Sequence, residues 1–154
     1  MRTKHLLLPA LVAFFAAPAA AQTDLHLDKP VLVNGIESAC AGIGDSSEHD
    51  PRWNAYPLKI VLAGKDGQYL ADADVSLTHG GKTAVSVHCG GPWVLFRPSP
   101  GRYRVVGGIG KTTAIATAYV KAGRQARVIL RFPNVGGTAS PQDTSVPHPK
   151  PISN

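Results

Sequence analysis

The sequence predicts an all-β protein, an antiparallel Greek-key β-sandwich of about seven strands. Three observations support this fold class. Short runs rich in β-branched and apolar residues, all between positions 56 and 132, are separated by turns that contain glycine or proline. Within several runs apolar and polar residues alternate, which is typical of a strand with one buried face. No stretch of this region has the length and the 3.6-residue period of a long helix.

The N-terminus has the order of a secretory signal peptide. Arg2 and Lys4 form a basic start, residues 6–17 are apolar apart from one proline, and three alanines at 19–21 provide a cleavage site. The apolar run is too short to span a bilayer, so an integral membrane protein is not expected. Cleavage after Ala21 leaves 133 residues, enough for one domain, and predicts a periplasmic or secreted protein.

The segments on either side of the sandwich are predicted to be less regular. Residues 22–55 show little alternation, so we expect an irregular N-terminal segment with a short helical turn, in which Asp45 is the cap and Glu48 reaches back. Residues 133–154 are rich in proline, serine and threonine, which predicts a disordered tail. The folded domain is therefore expected over residues 56–132.

Alternation assigns the buried faces of three strands. Their polar residues, such as Lys59, Asp74 and Arg127, are expected to face water. The residues expected to face the core are Leu58, Ile60, Leu62, Ala73, Val75, Leu77, Ala126, Val128, Leu130 and Phe132.

The hairpin that follows residue 79 has a register that the pattern can predict. A three-residue loop at 80–82 (Gly-Gly-Lys) places Val75 opposite Val87 with both buried, and places His88 outside beside Asp74. A two-residue Gly-Gly turn would shift the register by one residue and turn the wrong face inward. The three-residue loop is therefore the prediction.

Two cysteines, Cys40 and Cys89, follow the predicted cleavage site. In an exported chain an even number of cysteines favours a disulfide, and two allow one intramolecular pairing. A nucleophilic Cys89 activated by His88 is not favoured, because adjacent strand residues point to opposite faces and an oxidising compartment opposes a free thiolate. We expect a Cys40–Cys89 disulfide that ties the N-terminal segment to the sandwich.

Several turn and anchor motifs match the pattern of a known family. They are Tyr-Leu-Ala-Asp at 69–72, Gly-Pro-Trp at 91–93 and Pro-Gly-Arg-Tyr at 100–103, followed by the closing strand QARVILRF. With these motifs, residues 42–132 resemble carboxypeptidase regulatory-like domains, transthyretin-like β-sandwiches common in secreted proteins of Proteobacteria. Pro98 departs from the pattern, which usually has a core leucine there. The resemblance implies the fold and no particular function.

Catalysis and cofactors are not expected. Hydroxyisourate hydrolases share a related sandwich but end in Tyr-Arg-Gly-Ser, and intradiol dioxygenases use a His-x-His pair that is missing here. The weak candidate for a metal site is His88 with Asp74 opposite it and Asp72 further along the same face. A surface charge pair explains these residues better, since metal sites usually need three or four positioned ligands.

The charge distribution indicates a basic surface. Without Arg2 and Lys4 the chain has 14 basic and 10 acidic residues, and residues 93–132 contain eight basic residues and no acidic one. Four arginines in this block should project outward, and they would form one anion-binding face if their strands share a sheet. These are Arg102, Arg104, Arg127 and Arg131. The complement would be an anionic envelope component such as lipopolysaccharide phosphates, and nucleic acid is not expected.

These observations predict a non-catalytic periplasmic or secreted binding module associated with the envelope. A carrier for a small carbohydrate-like ligand is the alternative, with Tyr69 and Trp53 as candidate contacts. A metal-dependent enzyme is the third class. A solvated face without a partner would equally explain the basic block.

Overall fold

Turn residues divide the chain into short strands that pair in two β-sheets packed face to face. The structure is a computed structural model that describes residues 21–135, and it confirms the predicted β-sandwich. The predicted signal peptide and nearly all of the predicted tail lie outside the described residues. The strands are β1 (Thr23–Leu25), β2 (Val31–Val33), β3 (Ile36–Ala41), β4 (Leu58–Gly64), β5 (Ala73–His79), β6 (Lys82–Cys89), β7 (Trp93–Arg97), β8 (Gly101–Ile109), β9 (Thr112–Val120) and β10 (Ala126–Phe132).

Each sheet has five strands. The first sheet has the order β1-β6-β5-β8-β9 and the second sheet has the order β10-β4-β7-β3-β2. Because β1 pairs with β6 and β10 pairs with β4 in parallel, both sheets are mixed rather than purely antiparallel.

The prediction of an irregular segment at residues 22–55 was wrong, since that segment contributes β1, β2 and β3. This raises the strand number within the described residues from about seven to ten. Alternation could not reveal these strands. Two of them are only three residues long, and β3 ends in four consecutive buried residues because it is covered on both faces.

The predicted inward residues of β4, β5 and β10 do face the space between the sheets. Most are fully buried, while Ala126 and Val128 near the open end of β10 are partly buried. Tyr103 and Val105 of β8 complete this core from the first sheet. The in–out prediction from alternation is therefore confirmed for these strands.

The hairpin between β5 and β6 has the predicted register but a different loop. Val75 pairs with Val87 and both are buried. The turn is the two-residue Gly80-Gly81, with φ of +56° and +77°, as expected for a turn that needs two left-handed residues. Ala84 has no partner in β5, and this bulge restores the register that a two-residue turn alone would have shifted.

Part of the outer face of the second sheet, over β3, β4 and β7, is buried as well. Helix α1 (Asp45–Glu48) and a 3-10 helix (Pro51–Ala55) lie over it. Trp93 and Leu95 of β7 are buried in this second cluster, whereas Val94 and Phe96 face the main core. The second cluster comprises Ala39, Ala41, Trp53, Tyr56, Val61, Trp93 and Leu95.

The predicted helical turn is present, but its capping differs from the expectation. Asp45 is the first helical residue, Gly44 is the N-cap, and no side chain caps the helix. Asp50 instead caps the 3-10 helix by accepting a hydrogen bond from the Arg52 backbone N–H at 2.9 Å. Among residues 21–135, no helix has the length and apolar character needed to cross a membrane.

The Cys40–Cys89 disulfide is present, and both cysteines are fully buried. Cys40 lies in β3 of the second sheet and Cys89 in β6 of the first. The bond therefore connects the two sheets through the core, rather than attaching a loose segment to a finished sandwich. It also excludes Cys89 as a nucleophile in the oxidised protein.

Candidate functional site

The four arginines of the predicted anion-binding face are exposed, but they lie on two different sheets. Arg102 and Arg104 belong to β8 of the first sheet, and Arg127 and Arg131 belong to β10 of the second. Outward side chains of two sheets packed face to face point away from each other. The expectation of one four-arginine patch was therefore wrong, because the pattern of a strand shows which residues face out but not which sheet the strand joins.

The β10 pair contacts its own sheet. Arg131 donates hydrogen bonds to the backbone carbonyls of Gly64 and Lys65 at 3.3 and 3.5 Å. Arg127 lies near Lys59, whose ammonium is 3.1 Å from the centroid of the Trp93 ring. Burial lowers the pKa of Lys59, and the positive charge of Arg127 lowers it further. Arg131 and Lys59 therefore have local structural contacts, whereas Arg127 lies beside a like charge.

The β8 pair lies on an open surface that we call the basic face. Its residues are Thr78, Arg102, Arg104, Ile115, Thr117 and Tyr119. Arg102 pairs with Tyr119 and Arg104 with Thr117 across β8 and β9, so their side chains are direct neighbours on one side of the sheet. Tyr119 is 61% exposed and Ile115 is 57% exposed, although large side chains of this kind are usually buried in a protein core.

The basic face contains a shallow depression of about 530 Å³ beside the Gly80-Gly81 turn. The two glycines leave its rim without side chains. Within residues 21–135 the ion pairs involve Asp50, Asp72, Asp74 and Glu37, and neither Arg102 nor Arg104 takes part in them. The two guanidinium groups are thus available to an external anion.

The opposite end of the same sheet carries an acidic cluster around His88. His88 pairs with Asp74 in the β5–β6 register, as predicted, and its Nδ1 lies 2.7 Å from an Asp74 carboxylate oxygen. Its Nε2 lies 3.0 Å from Asp72. The hydrogen bond to Asp74 raises the pKa of His88, and Asp72 adds to the rise.

This arrangement is an ion-paired triad and does not resemble a metal centre. The two carboxylates occupy opposite sides of the imidazole ring, so they do not converge with one ring nitrogen on a single point, as metal ligands must. Within the part of the chain that the structure describes, no set of three or more histidine, cysteine, aspartate or glutamate side chains is placed to hold a metal.

We expect the His88 triad to make stability depend on pH. A raised folded-state pKa means that protonated His88 stabilises the fold fully below its unfolded pKa of about 6.5, and that this contribution is lost as the pH rises through the folded-state value. The free energy of unfolding of wild type should exceed that of His88→Gln by roughly 0.2–1 kcal/mol near pH 5.5. This difference should shrink by pH 9. Urea unfolding of both proteins at the two pH values measures it; a constant difference would contradict the triad's protonation.

The two aromatic residues considered for a carbohydrate carrier lie in different environments. Trp53 is 2% exposed, and its indole N–H donates a hydrogen bond to the Ser47 carbonyl at 2.9 Å, so it is a core residue. Tyr69 is 48% exposed, and its ring packs edge-on against that of Trp93 with the two ring centroids 6.4 Å apart. Of the two, Tyr69 alone is accessible to a ligand.

One concave site was not predicted from the sequence. It is a groove of about 460 Å³ at the end of the sandwich where β9 leads into β10. Residues 54–57, 97, 98, 100 and 120–125 form its walls. These segments are far apart in sequence and consist of turns and the ends of elements, so alternation carries no signal for the groove. Its three cations, Arg97, Lys121 and Arg124, stand out in the sequence only as members of the basic block.

Comparisons with known proteins assign no family to this chain. No protein-family model matches the sequence, and a search of curated proteins finds no match.

Proposed function

We propose that this protein is a non-catalytic binding module, periplasmic or secreted, that contacts an anionic partner through the basic face. The observation that carries the proposal is the pair of exposed arginines, Arg102 and Arg104, which lack carboxylate partners within residues 21–135 and adjoin exposed Tyr119 and Ile115. Arginine and tyrosine are enriched where proteins bind partners, and exposed apolar residues grouped together mark interaction surfaces.

The shape of the face favours an extended partner. The depression is broad and open, and its walls are strand side chains and a hairpin turn, whereas sites for small molecules are concave and enclose most of the ligand. Arg102 and Arg104 lie two residues apart on one strand, about 7 Å along it. An anionic polymer or a surface with repeated phosphates, such as lipopolysaccharide, fits this spacing and the lack of enclosure.

Separate observations support the proposed compartment and the proposed absence of catalysis. The signal-peptide pattern of residues 1–21 and the buried Cys40–Cys89 disulfide both suit an oxidising compartment. Cys89 is bonded to Cys40, and both ring nitrogens of His88 are engaged, so the residues first considered for chemistry are committed to structure.

The two arginine pairs provide a matched experiment. Arg102→Ala/Arg104→Ala removes the basic face, and Arg127→Ala/Arg131→Ala removes the same charge from the other sheet. We expect wild type and the β10 variant to be retained similarly on heparin and on immobilised lipopolysaccharide, and the β8 variant to elute at lower salt. The attraction should be screened strongly above about 0.1 M salt, where the Debye length is about 10 Å.

Two results would overturn the proposal. One is equal elution of the two double variants, because binding would then depend on net charge alone. The other is a wild-type protein that neither matrix retains at low salt. All four side chains are exposed, so circular dichroism of the variants should match that of the wild type and show that the fold is intact.

A further inference from the structure

The end groove brings together three cations from separate segments. Arg97 comes from the end of β7, and Lys121 and Arg124 come from the turn between β9 and β10. No aspartate or glutamate of residues 21–135 lines the groove. Glu37 lies 3.5 Å from Arg97 and offsets part of its charge, but Lys121 and Arg124 form no ion pair in the described chain.

The turn itself holds like charges together. Lys121 and Arg124 pair directly in an isolated antiparallel bridge, and like charges directly opposite each other are unfavourable. A turn of this kind would be more stable with a neutral residue at either position. Places where a chain keeps an unfavourable local arrangement are often functional sites, and an anion bound between these two side chains would offset their repulsion.

Hydrogen bonds fix the walls of the groove before any ligand arrives. The Gln125 amide nitrogen donates to the backbone carbonyls of Trp53 and Tyr56 at 2.7 and 2.8 Å. Arg97 donates to the Ala55 carbonyl at 2.9 Å, and its guanidinium lies 4.8 Å from the centroid of the Tyr56 ring. These contacts join the C-terminal part of the 3-10 helix, and the residue that follows it, to β7 and to the β9–β10 turn. A preformed site loses less entropy on binding.

The groove wall also contains apolar surface. One lining residue, Tyr56, is itself buried, and its hydroxyl is enclosed beside Glu37 rather than open to the groove. Burial and the neighbouring Glu37 carboxylate raise the pKa of this hydroxyl above its usual range. The apolar part of the lining consists of Pro57, Pro98, Pro100 and Val120.

We propose that this groove binds a small organic anion with at least two negative charges, such as a tricarboxylate or a sugar phosphate. Its volume lies in the range of small-molecule sites, about 300–1,000 Å³, and its cations exceed the negative charge around them. Lys121 and Arg124 would contact the charged groups, and the prolines and Val120 the carbon skeleton. The groove shares no residue with the basic face, so an experiment can refute either proposed site without refuting the other.

Isothermal titration calorimetry with citrate and with glucose 6-phosphate tests the proposal, and glucose is the neutral probe of similar size. We expect saturable binding of at least one anion and none of glucose. Lys121→Gln/Arg124→Gln should weaken binding by at least about tenfold, since each lost charge-assisted hydrogen bond has an effect of this order. The matched control is Lys65→Gln/Lys111→Gln, which removes two exposed cations from turns at the opposite end of β4 and β9 and should change affinity less than about twofold.

Two outcomes would refute the site: no saturable binding of either anion, or equal weakening in the control variant. Misfolding would not account for a loss of affinity, because Lys121→Gln/Arg124→Gln removes a repulsion and should unfold at the same temperature as wild type or higher. The anion that binds should also raise the unfolding temperature of wild type and of the control, but not that of Lys121→Gln/Arg124→Gln. A rise of equal size in all three proteins would contradict binding at this groove.

Discussion

Loss of the Cys40–Cys89 disulfide is expected to lower the free energy of unfolding by about 4 kcal/mol, because the bond closes a loop with a sequence separation of 49 residues and restricts the unfolded chain. Native domains are stable by only about 5–15 kcal/mol, so this is a large fraction of the total. Both cysteines are fully buried between the sheets, and the reduced protein would also have to accommodate two thiols in the space of one bond.

Guanidinium unfolding of the oxidised protein, beside the reduced protein and Cys40→Ala/Cys89→Ala, measures this effect. Denatured, unreduced protein should contain no reactive thiol. The two forms without the bond should have similar midpoints, both well below that of the oxidised form. A midpoint unchanged by reduction, with the thiols shown to be free, would contradict a stabilising role for the cross-link.

Truncation of Phe132 should be nearly as costly, at about 3–5 kcal/mol for Phe132→Ala. The side chain is fully buried at the end of β10, an edge strand that is bonded only to β4 within the second sheet. Across the core it faces Gly107 of β8. A Cβ at Gly107 would lie 3.1 Å from Phe132 Cζ and 2.7 Å from Leu130 Cδ1, so the ring fills the space that the glycine leaves, and its removal creates a cavity.

Ile129→Ala is the matched control, since Ile129 lies in the same strand, points outward and is 47% exposed. Its truncation should change stability by no more than about 0.5 kcal/mol. Equal destabilisation by the two variants would show that β10 is held by its backbone pairing with β4 and not by the packing of its inner face.

The two proposed sites use different parts of one scaffold. The basic face is a flat strand surface on the first sheet, where charges repeat along β8, and it suits a long or repetitive anion. The end groove is built by turns that a rigid sandwich brings together, and it suits a small one. Loops held by a stable core are a common location of binding sites, and here hydrogen bonds from Gln125 and Arg97 provide the rigidity.

The sequence by itself determined the fold class, the buried faces of the longer strands and the cysteine pairing. Alternation marks Val75, Leu77, Leu130 and Phe132 as inward-facing, because a strand's side chains alternate whatever its partners are. Two cysteines allow one intramolecular bond, so the Cys40–Cys89 pairing could be predicted without knowledge of the structure. The β5–β6 register was also accessible, because only one register buries both hydrophobic faces, even though a bulge at Ala84 achieves it rather than a longer loop.

The tertiary structure alone decided which strands share a sheet, and with this the location of both candidate sites. Arg102 and Arg127 have the same local pattern, outward residues between buried ones, yet they project from opposite faces of the sandwich. Strands β1, β2 and β3 could not be predicted from the sequence pattern, because strands that are short or buried on both faces lack alternation. The end groove depends on Tyr56, Arg97 and Lys121 meeting across long sequence separations. Alternation is a local property of one strand, whereas pairing, sheet membership and the meeting of loops depend on contacts between distant parts of the chain.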